Sequence, residues 1–220
     1  MTSNVELQQR VTRLLLTAIA ADGFALAGAG AIRAHGLTDR PTADIDLFCS
    51  PTVEESAFRE AVDRGHEILH EAGYATVLVR DAATFSRLRI HTADGMTLDV
   101  DFAINWRAAT PVLLSVGPVI AERDAVAGKL GAAYSRGEVR DFLDLDAIRR
   151  SGRYTDEELL TLGHEHDAGF DPGMFAAQLS HVLRLDADQV EEYGVTTDEL
   201  AAIQQRLFDW ALRLRDEKKG

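Results

Sequence analysis

The chain has 220 residues, with 36 Asp and Glu against 23 Lys and Arg, and its formal net charge is −13. Hydrophobic residues at 46% and charged residues at 27% are typical of a globular protein, which excludes wholesale disorder and low-complexity structure. The negative charge argues against a broad nucleic-acid-binding face, and the single cysteine, Cys49, excludes an internal disulfide and a cysteine-built zinc site.

The chain lacks the patterns of a membrane or secreted protein. Its apolar runs are far shorter than the roughly 18 residues that a membrane-spanning helix needs. The polar segment Met1–Arg10 has no basic lead into an apolar stretch, so it does not resemble a secretory signal. We therefore expect a cytoplasmic protein with no membrane partner.

The first part of the chain alternates helical and strand-like patterns. Its glycine turn at Gly28–Gly30 follows a short apolar strand, and Asp94–Gly95 is a strong hairpin signal. In chain order, the pattern predicts a helix over 5–19, a strand over 24–27, a helix over 31–35, a strand over 45–48, a helix over 53–72 and strands over 75–79, 86–91 and 97–102.

Beyond Pro111 the pattern becomes helical. An apolar run over 112–120 is interrupted by Gly117–Pro118. The helices that we predict after it cover 121–135, 139–150, 155–165, 172–183 and 197–217. The fold class is therefore α+β, with a mixed β-sheet flanked by helices (domain 1–110) followed by an all-helical C-terminal half (domain 111–220).

Two acidic residues on one predicted strand are the first candidate site. Asp44 and Asp46 alternate with apolar residues, so both side chains share one face of the strand, with their Cα atoms roughly 6.5–7 Å apart. Carboxylates at this separation can bind Mg²⁺, which prefers oxygen ligands and often shares them with substrate phosphates. The small residues Gly28, Ala29 and Gly30 would let backbone N–H groups approach a phosphate at the start of a helix.

A third acidic strand repeats this alternation. Asp99 and Asp101 share one face of the strand over 97–102. If that strand pairs beside the strand of Asp44, one of its carboxylates can complete a metal site or accept the proton of an attacking hydroxyl. Asp99 fits this position better, and Asp101 is the alternative.

A basic and acidic segment follows in the helical half. Lys129 and Arg136 are two helical turns apart, so both face the same way and can hold triphosphate charge. Gly137 is expected to break the helix, so that the next helix presents Arg140, Asp141 and Asp144. The two acids can orient Lys129, bind a ribose, assist proton transfer, or form an ion-pair network that holds the helices together.

The order of these motifs resembles the polymerase-β-type nucleotidyltransferase superfamily. More narrowly, it resembles the AbiEii/AbiGii-type nucleotidyltransferase toxins, MenT-like toxins among them. The resemblance covers about residues 24–150. It rests on the small-residue turn, on the late acidic strand, and on the motifs Arg40-x-Thr42-x-Asp44-x-Asp46-Leu47-Phe48 and Lys129, Ala132, Arg136, Arg140-Asp141 and Asp144-Leu145.

The resemblance implies a nucleotidyltransferase-like fold and a Mg²⁺-dependent toxin of a toxin–antitoxin or abortive-infection system. Such an enzyme transfers a nucleoside monophosphate (NMP) from a nucleoside triphosphate (NTP) to an acceptor hydroxyl, here the tRNA 3′ end, and has a cognate antitoxin protein. The implied catalytic residues are Asp44, Asp46, Asp99, Lys129 and Asp141, and the first three are also the metal ligands. The implied substrate-binding residues are Gly28, Ala29, Gly30, Thr42, Lys129, Arg136, Arg140 and Asp144.

Two other functions are compatible with the same residues. One is nucleotidyl transfer to a small molecule such as an aminoglycoside, or to a protein hydroxyl. The other is a degenerate, non-catalytic nucleotide-binding regulator, because Gly30 stands where the family usually has a Ser or Thr hydroxyl. The sequence leaves open which NTP is used, which acceptor receives the NMP and how an antitoxin would act.

Overall fold

The computed structural model describes residues 4–217, with side chains up to 216. Residues 1–3 and 218–220, which the predicted domains include, lie outside the described residues. Packing divides the chain into two compact units, one within Met1–Ala34 and Thr42–Ala121 and the other within His35–Pro41 and Glu122–Gly220. The division into a nucleotidyltransferase-like α/β core over 1–110 and a helical domain over 111–220 stays a prediction.

The first unit combines three helices with a mixed sheet, as predicted. Its helices and strands are α1 (Asn4–Ile19), β1 (Ala25–Leu26), α2 (Gly28–Ala34), β2 (Asp44–Cys49), α3 (Glu55–Glu71), β3 (Ala75–Ala82), β4 (Phe85–His91), β5 (Thr97–Ile104), β6 (Val112–Leu114) and β7 (Gly117–Val119). Within the described residues these strands form one seven-stranded sheet in the order β3-β4-β5-β2-β1-β7-β6. The pairs β2–β5 and β1–β7 are parallel and the other pairs are antiparallel.

Alternation along the strands gives the sheet one buried face. Ile45 and Leu47 of β2 and Phe102 of β5 are almost fully buried. Phe24, which precedes β1, lies 5.9 Å from the ring of Phe58 on α3 and 6.1 Å from the ring of Phe102. Helices α1 and α3 pack together over this face. The intervening acidic residues of β2 and β5 therefore lie on the other, open face.

The second unit is helical, again as predicted. It contains α4 (Glu122–Ser135), α5 (Val139–Arg150), α6 (Asp156–His166), α7 (Pro172–Leu179), α8 (Ala187–Glu191) and α9 (Thr197–Glu217), with a 3₁₀ turn over Ser180–Arg184. Its aromatic core includes Phe175 of α7, whose ring meets that of Trp210 on α9 edge to face at 5.3 Å. The fold class, α+β with a mixed sheet and a helical second half, is confirmed. Of the helices that the structure describes, none has the length and apolar character to cross a bilayer.

Candidate functional site

The predicted carboxylates form a compact row on the open face of the sheet. Strands β2 and β5 are parallel neighbours, and their register places Asp44 beside Asp99 and Asp46 beside Asp101. A third carboxylate can join this row only if β5 lies next to β2, and the structure shows that it does. Because Asp99 is level with Asp44 and Asp101 is level with Asp46, the register does not choose between them, and the preference for Asp99 stays a prediction.

The glycine turn lies against the same row. The Asp46 carbonyl accepts a hydrogen bond from the Ala27 N–H at 2.8 Å, which extends the pairing of β1 and β2 to the start of α2. Gly28 has φ +55°, and a Cβ built there would lie 1.8 Å from Oδ2 of Asp46. A residue with a side chain at position 28 would thus displace the Asp46 carboxylate. The helix α2 begins at Gly28 rather than at Ala31, and its first hydrogen bond runs from the Ala31 N–H to the Ala27 carbonyl at 2.9 Å.

Two arginines of β4, which the sequence analysis did not select, bind the acids of β5. Arg89 donates from Nε and Nη2 to the two Asp99 oxygens at 2.7 and 2.8 Å. Arg87 contacts Asp101 in the same bidentate way at 2.5 and 2.6 Å. The signal was present in the sequence, because two arginines alternate on β4 as two aspartates alternate on β5. Detecting the pairs required the hairpin register.

These ion pairs shift the pKa values of the groups that form them. The Arg89 hydrogen bonds lower the pKa of Asp99 below its ordinary value, against the opposing effect of partial burial. The hydrogen bonds to Asp101 raise the pKa of Arg87, and the charge of Asp44 contributes in the same direction. Asp99 is consequently a carboxylate at neutral pH and a weak proton acceptor.

The predicted substrate-binding residue Thr42 lies at the buried start of this segment. Its hydroxyl lies 3.1 Å from Oε1 of Gln8 on α1, and Nε2 of Gln8 donates to the Thr42 carbonyl at 2.6 Å. The Thr42 side chain is 8% exposed. These contacts fix the backbone two residues before Asp44, and the substrate-binding role of Thr42 stays a prediction.

The carboxylate row provides hard oxygen ligands of the kind that Mg²⁺ takes. Asp44 and Asp46 project from one strand face, and the absence of a side chain at Gly28 leaves the Asp46 carboxylate its place. Across the side chains that the structure describes, no group of three or more His, Cys, Asp or Glu is arranged to hold a metal ion. Asp99 is held by Arg89 and would have to exchange this partner to become the third ligand. Two carboxylates nevertheless fit an ion that keeps several waters and takes substrate phosphates.

In the second unit, Asp144 is the centre of a buried ion-pair cluster. Its carboxylate accepts from Nζ of Lys129 at 2.7 Å and from Nε and Nη2 of Arg40 at 2.6 and 2.7 Å. The Asp144 side chain is 0% exposed, and the side chains of Lys129 and Arg40 are 9% and 8% exposed. Burial opposes the charge of Asp144, but the hydrogen bonds from Arg40 and the charge of Lys129 outweigh burial and lower its pKa. The sequence analysis named Arg40 as part of a motif but did not predict that it binds Asp144.

The other predicted residues of this unit form a second pair. Asp141 is fully buried and accepts from Nε and Nη2 of Arg136 at 2.8 and 2.9 Å. It also accepts from the Glu138 backbone N–H at 3.1 Å, so it caps the start of α5. Arg140 donates to Glu138 at 3.0 Å. The structure therefore groups Lys129 with Asp144 and Arg136 with Asp141; the substrate and catalytic roles of these residues stay predictions.

Comparisons with known proteins assign the chain to a family. The model of the nucleotidyl transferase AbiEii toxin family, of type IV toxin–antitoxin systems, matches residues 11–217. No curated protein sequence matches the chain.

Two solved structures illustrate the similarity in fold. MenT4, a nucleotidyltransferase toxin from Mycobacterium tuberculosis, is 19% identical with a TM-score of 0.62, over 94% of this chain and 83% of that one. JHP933 from Helicobacter pylori is 16% identical with a TM-score of 0.57, over 99% and 94% of the two chains. At these identities the structures support the fold, whereas the family model covers nearly the whole chain. The chain therefore belongs to the AbiEii family of nucleotidyl transferase toxins, and it is a nucleotidyltransferase.

Proposed function

We propose that this enzyme transfers an NMP from an NTP to the 3′ hydroxyl of an RNA acceptor, the tRNA 3′ end, in a Mg²⁺-dependent reaction. The observation that carries this proposal is the register of the sheet, which lines up Asp44 with Asp99 and brings Asp46 against Gly28. A carboxylate pair beside a turn of small residues is the arrangement that a triphosphate and its cation require.

The roles of the residues follow from their chemistry. Asp44 and Asp46 would hold Mg²⁺, and Asp99 would join them on leaving Arg89. When bound, the ion neutralises phosphate charge and polarises the phosphoryl group that is transferred. The backbone at Gly28, Ala29 and Gly30 would contact the phosphates. Lys129, Arg136 and Arg140 would bind the remaining negative charge of the triphosphate, with Asp144 and Asp141 keeping the first two in place.

The reaction is a substitution at the α-phosphorus of the NTP. The acceptor oxygen forms a bond to this phosphorus as the hydroxyl loses its proton, and the bond to the oxygen that bridges to the β-phosphate breaks. Pyrophosphate leaves with that electron pair. We assign Asp99 to cation binding, because a carboxylate that ligates a cation is not free to accept a proton, and the proton of the hydroxyl passes to solvent.

The test is transfer of label from each α-³²P-NTP to total tRNA in the presence of Mg²⁺. We expect the parent protein to label the RNA and Asp46→Ala to reduce labelling by at least a hundredfold, because Asp46 holds the reacting phosphate's cation. The control is Asp63→Ala, which removes an exposed carboxylate from α3 and should label RNA as the parent does.

Two results would contradict the proposal. If Asp46→Ala labelled RNA as strongly as the parent does, the carboxylate row would have no part in the reaction. Labelling only of a protein or of a small-molecule acceptor by the parent would reject RNA as the substrate. As a toxin of this family, the protein would be expressed together with a cognate antitoxin, and growth arrest on expression without it, lost in Asp46→Ala, is the cellular counterpart of the test.

A further inference from the structure

Three arginines extend the carboxylate row across the open face of the sheet. The register pairs Arg80 of β3 with Arg87 of β4, and Arg87 and Arg89 are level with the two acids of β5. Phe85 lies on the same face, with the guanidinium groups of Arg80 and Arg87 at 5.0 and 5.9 Å from its ring centre. We refer to Arg80, Phe85, Arg87 and Arg89 as the arginine strip.

The strip retains hydrogen-bond donors that face solvent. The side chains of Arg87 and Arg89 are 36% and 43% exposed, and each uses two nitrogens for its aspartate. The third nitrogen of each guanidinium keeps its N–H donors, and that of Arg87, Nη1, lies 3.8 Å from Oδ2 of Asp99. Arg80 is exposed and, among residues 4–216, forms no ion pair. A guanidinium with open donors suits a phosphate group, which it can bind in a bidentate manner.

The segment that carries the arginine strip is more basic than the protein as a whole. Residues 75–91 contain three arginines and one acidic residue, Asp81, in a chain of net charge −13. Asp81 lies level with the buried Ser86 and binds its hydroxyl and Arg59 of α3, so it belongs to the covered face of the sheet. On the open face, Asp101 and Asp99 of β5 balance the charges of Arg87 and Arg89, so the excess positive charge of β3 and β4 is that of Arg80. A ligand of this part of the face is expected to be an anion.

The position of the strip separates it from the phosphate-binding turn. In the sheet order, Gly28 approaches Asp46 from the β1 side, whereas β4 and β3 lie beyond β5 on the other side. Neighbouring strands are about 4.8 Å apart, so the backbones of Arg87 and Arg80 are about 10 Å and about 14 Å from that of Asp46. Phosphoryl transfer places the attacking and leaving oxygens in line, so the acceptor enters opposite the departing pyrophosphate. This is the side of the arginine strip.

We propose that the arginine strip is the docking site for the acceptor strand, binding backbone phosphates of a single-stranded RNA 3′ end. This inference rests on the proposed function, whose acceptor it places. Arg89 and Arg87 contact the phosphates nearest the reacting hydroxyl, and Arg80 contacts the next one. Phe85 provides a surface on which a base stacks, as aromatic side chains do in proteins that bind single strands. A basic surface also disfavours a cationic acceptor such as an aminoglycoside.

The test is binding of a fluorescent single-stranded RNA that ends in a 3′-deoxynucleotide, measured by anisotropy without NTP. Arg80→Gln should weaken binding several-fold and should make the slope of log affinity against log salt shallower by about 0.7, the value for one phosphate contact on a single strand. Phe85→Ala should weaken binding about tenfold with little change in the salt slope, because it removes stacking and no charge.

The matched control is Arg59→Gln. It removes one exposed arginine from α3, on the covered face of the sheet, and should leave RNA affinity and salt slope as in the parent. Binding of NTP is measured separately for every variant and should be unchanged. A loss of NTP affinity in Arg80→Gln with RNA affinity retained would overturn the inference, because the strip would then bind the nucleotide.

Equal RNA affinity in the parent, Arg80→Gln and Phe85→Ala would also overturn the inference, as would an equal loss in Arg59→Gln. The binding assay contains no NTP, so it is independent of catalysis. A parent that binds the RNA through the strip but transfers no NMP to any acceptor would contradict the proposed function. A parent that transfers NMP to RNA but whose RNA binding is insensitive to these variants would contradict the docking site alone.

Discussion

Gly28 is constrained both by its backbone conformation and by its contact with the candidate site. Its φ of +55° is in the left-handed region, and the space where a Cβ would lie is filled by the Asp46 carboxylate. Two independent constraints therefore select glycine here. The neighbouring Gly30 is limited by packing instead, because its Cβ would lie 2.8 Å from a methyl group of Leu26. A family-type Ser at position 30 would consequently require Leu26 to move.

Gly28→Ala should abolish transfer while leaving the protein folded. The new methyl group displaces Asp46, so we expect activity to fall at least a hundredfold and Mn²⁺ affinity to decrease. The conformational cost is about 1 kcal/mol. Activity is measured by RNA labelling, Mn²⁺ binding by electron paramagnetic resonance, and stability by urea unfolding.

Gly73→Ala is the control for backbone strain, since Gly73 has φ +84° and no atom lies within 4 Å of the position that its Cβ would take. It should lose similar stability and keep its activity. If Gly28→Ala were as active as Gly73→Ala, the contact between the turn and Asp46 would have no role in the reaction.

The acidic residues of the site could be predicted from sequence, but their partners could not. Alternation on β2 and β5 predicts that Asp44 and Asp46, and likewise Asp99 and Asp101, share a face. The arginines that bind the β5 acids depend on the register of the β4–β5 hairpin. The bond between Arg40 and Asp144 joins residues 104 positions apart, and no local pattern encodes such a pair.

At the scale of elements, most helices and strands follow from periodicity and turn residues. The exceptions are short or depend on pairing. Helix α8 (Ala187–Glu191) was missed because its five residues cannot show a helical repeat, although Asp186 and Gln189 form a capping box. The apolar run over 112–120 forms the hairpin β6–β7, and β7 is held by parallel pairing with β1, a contact that the local sequence does not reveal.

Asp144 joins two helices of the second unit through its charge. It lies on α5, accepts from Lys129 on α4 and from Arg40 in the 35–41 segment, and is completely buried. Removing its charge takes the buried carboxylate away from both cations, Lys129 and Arg40. Breaking a buried ion pair in this way typically costs about 3–5 kcal/mol.

Asp144→Asn should therefore reduce the free energy of unfolding by about 3–5 kcal/mol at pH 7. The folded-state pKa of Asp144 is lowered from 3.8, so its contribution is complete above pH 3.8 and is lost as the pH falls through the folded-state pKa. The difference between parent and variant should accordingly shrink in acid. Urea unfolding at a series of pH values from 7 downward measures it.

Asp156→Asn is the matched control, because Asp156 also binds two arginines, Arg149 and Arg213, but its side chain is 35% exposed. Solvent screening should limit its loss to about 1 kcal/mol or less. A difference for Asp144→Asn that stays constant from pH 7 to pH 2 would show that the ionised carboxylate does not provide the stabilisation.

At the scale of the whole molecule, charge limits how much RNA the protein can bind. A net charge of −13 repels a polyanion over most of the surface, so attraction has to be local. The arginine strip provides three phosphate-binding groups beside the carboxylate row. Because each phosphate contact on a single strand contributes about 0.7 to the salt dependence, three contacts predict a slope of about −2.

A short acceptor should therefore serve as well as an intact tRNA. We expect a single-stranded oligonucleotide with the tRNA 3′-terminal sequence to be labelled with a kcat/KM within a few-fold of that for the whole molecule, and we expect both to show a log–log salt slope of about −2. The measurement is initial rates of NMP transfer over a range of salt concentrations at constant free Mg²⁺. A preference of a hundredfold or more for intact tRNA, or a slope steeper than about −5, would require contacts with many more phosphates than the arginine strip supplies. Either result would mean that the acceptor is recognised over a wide surface in spite of the acidic character of the protein.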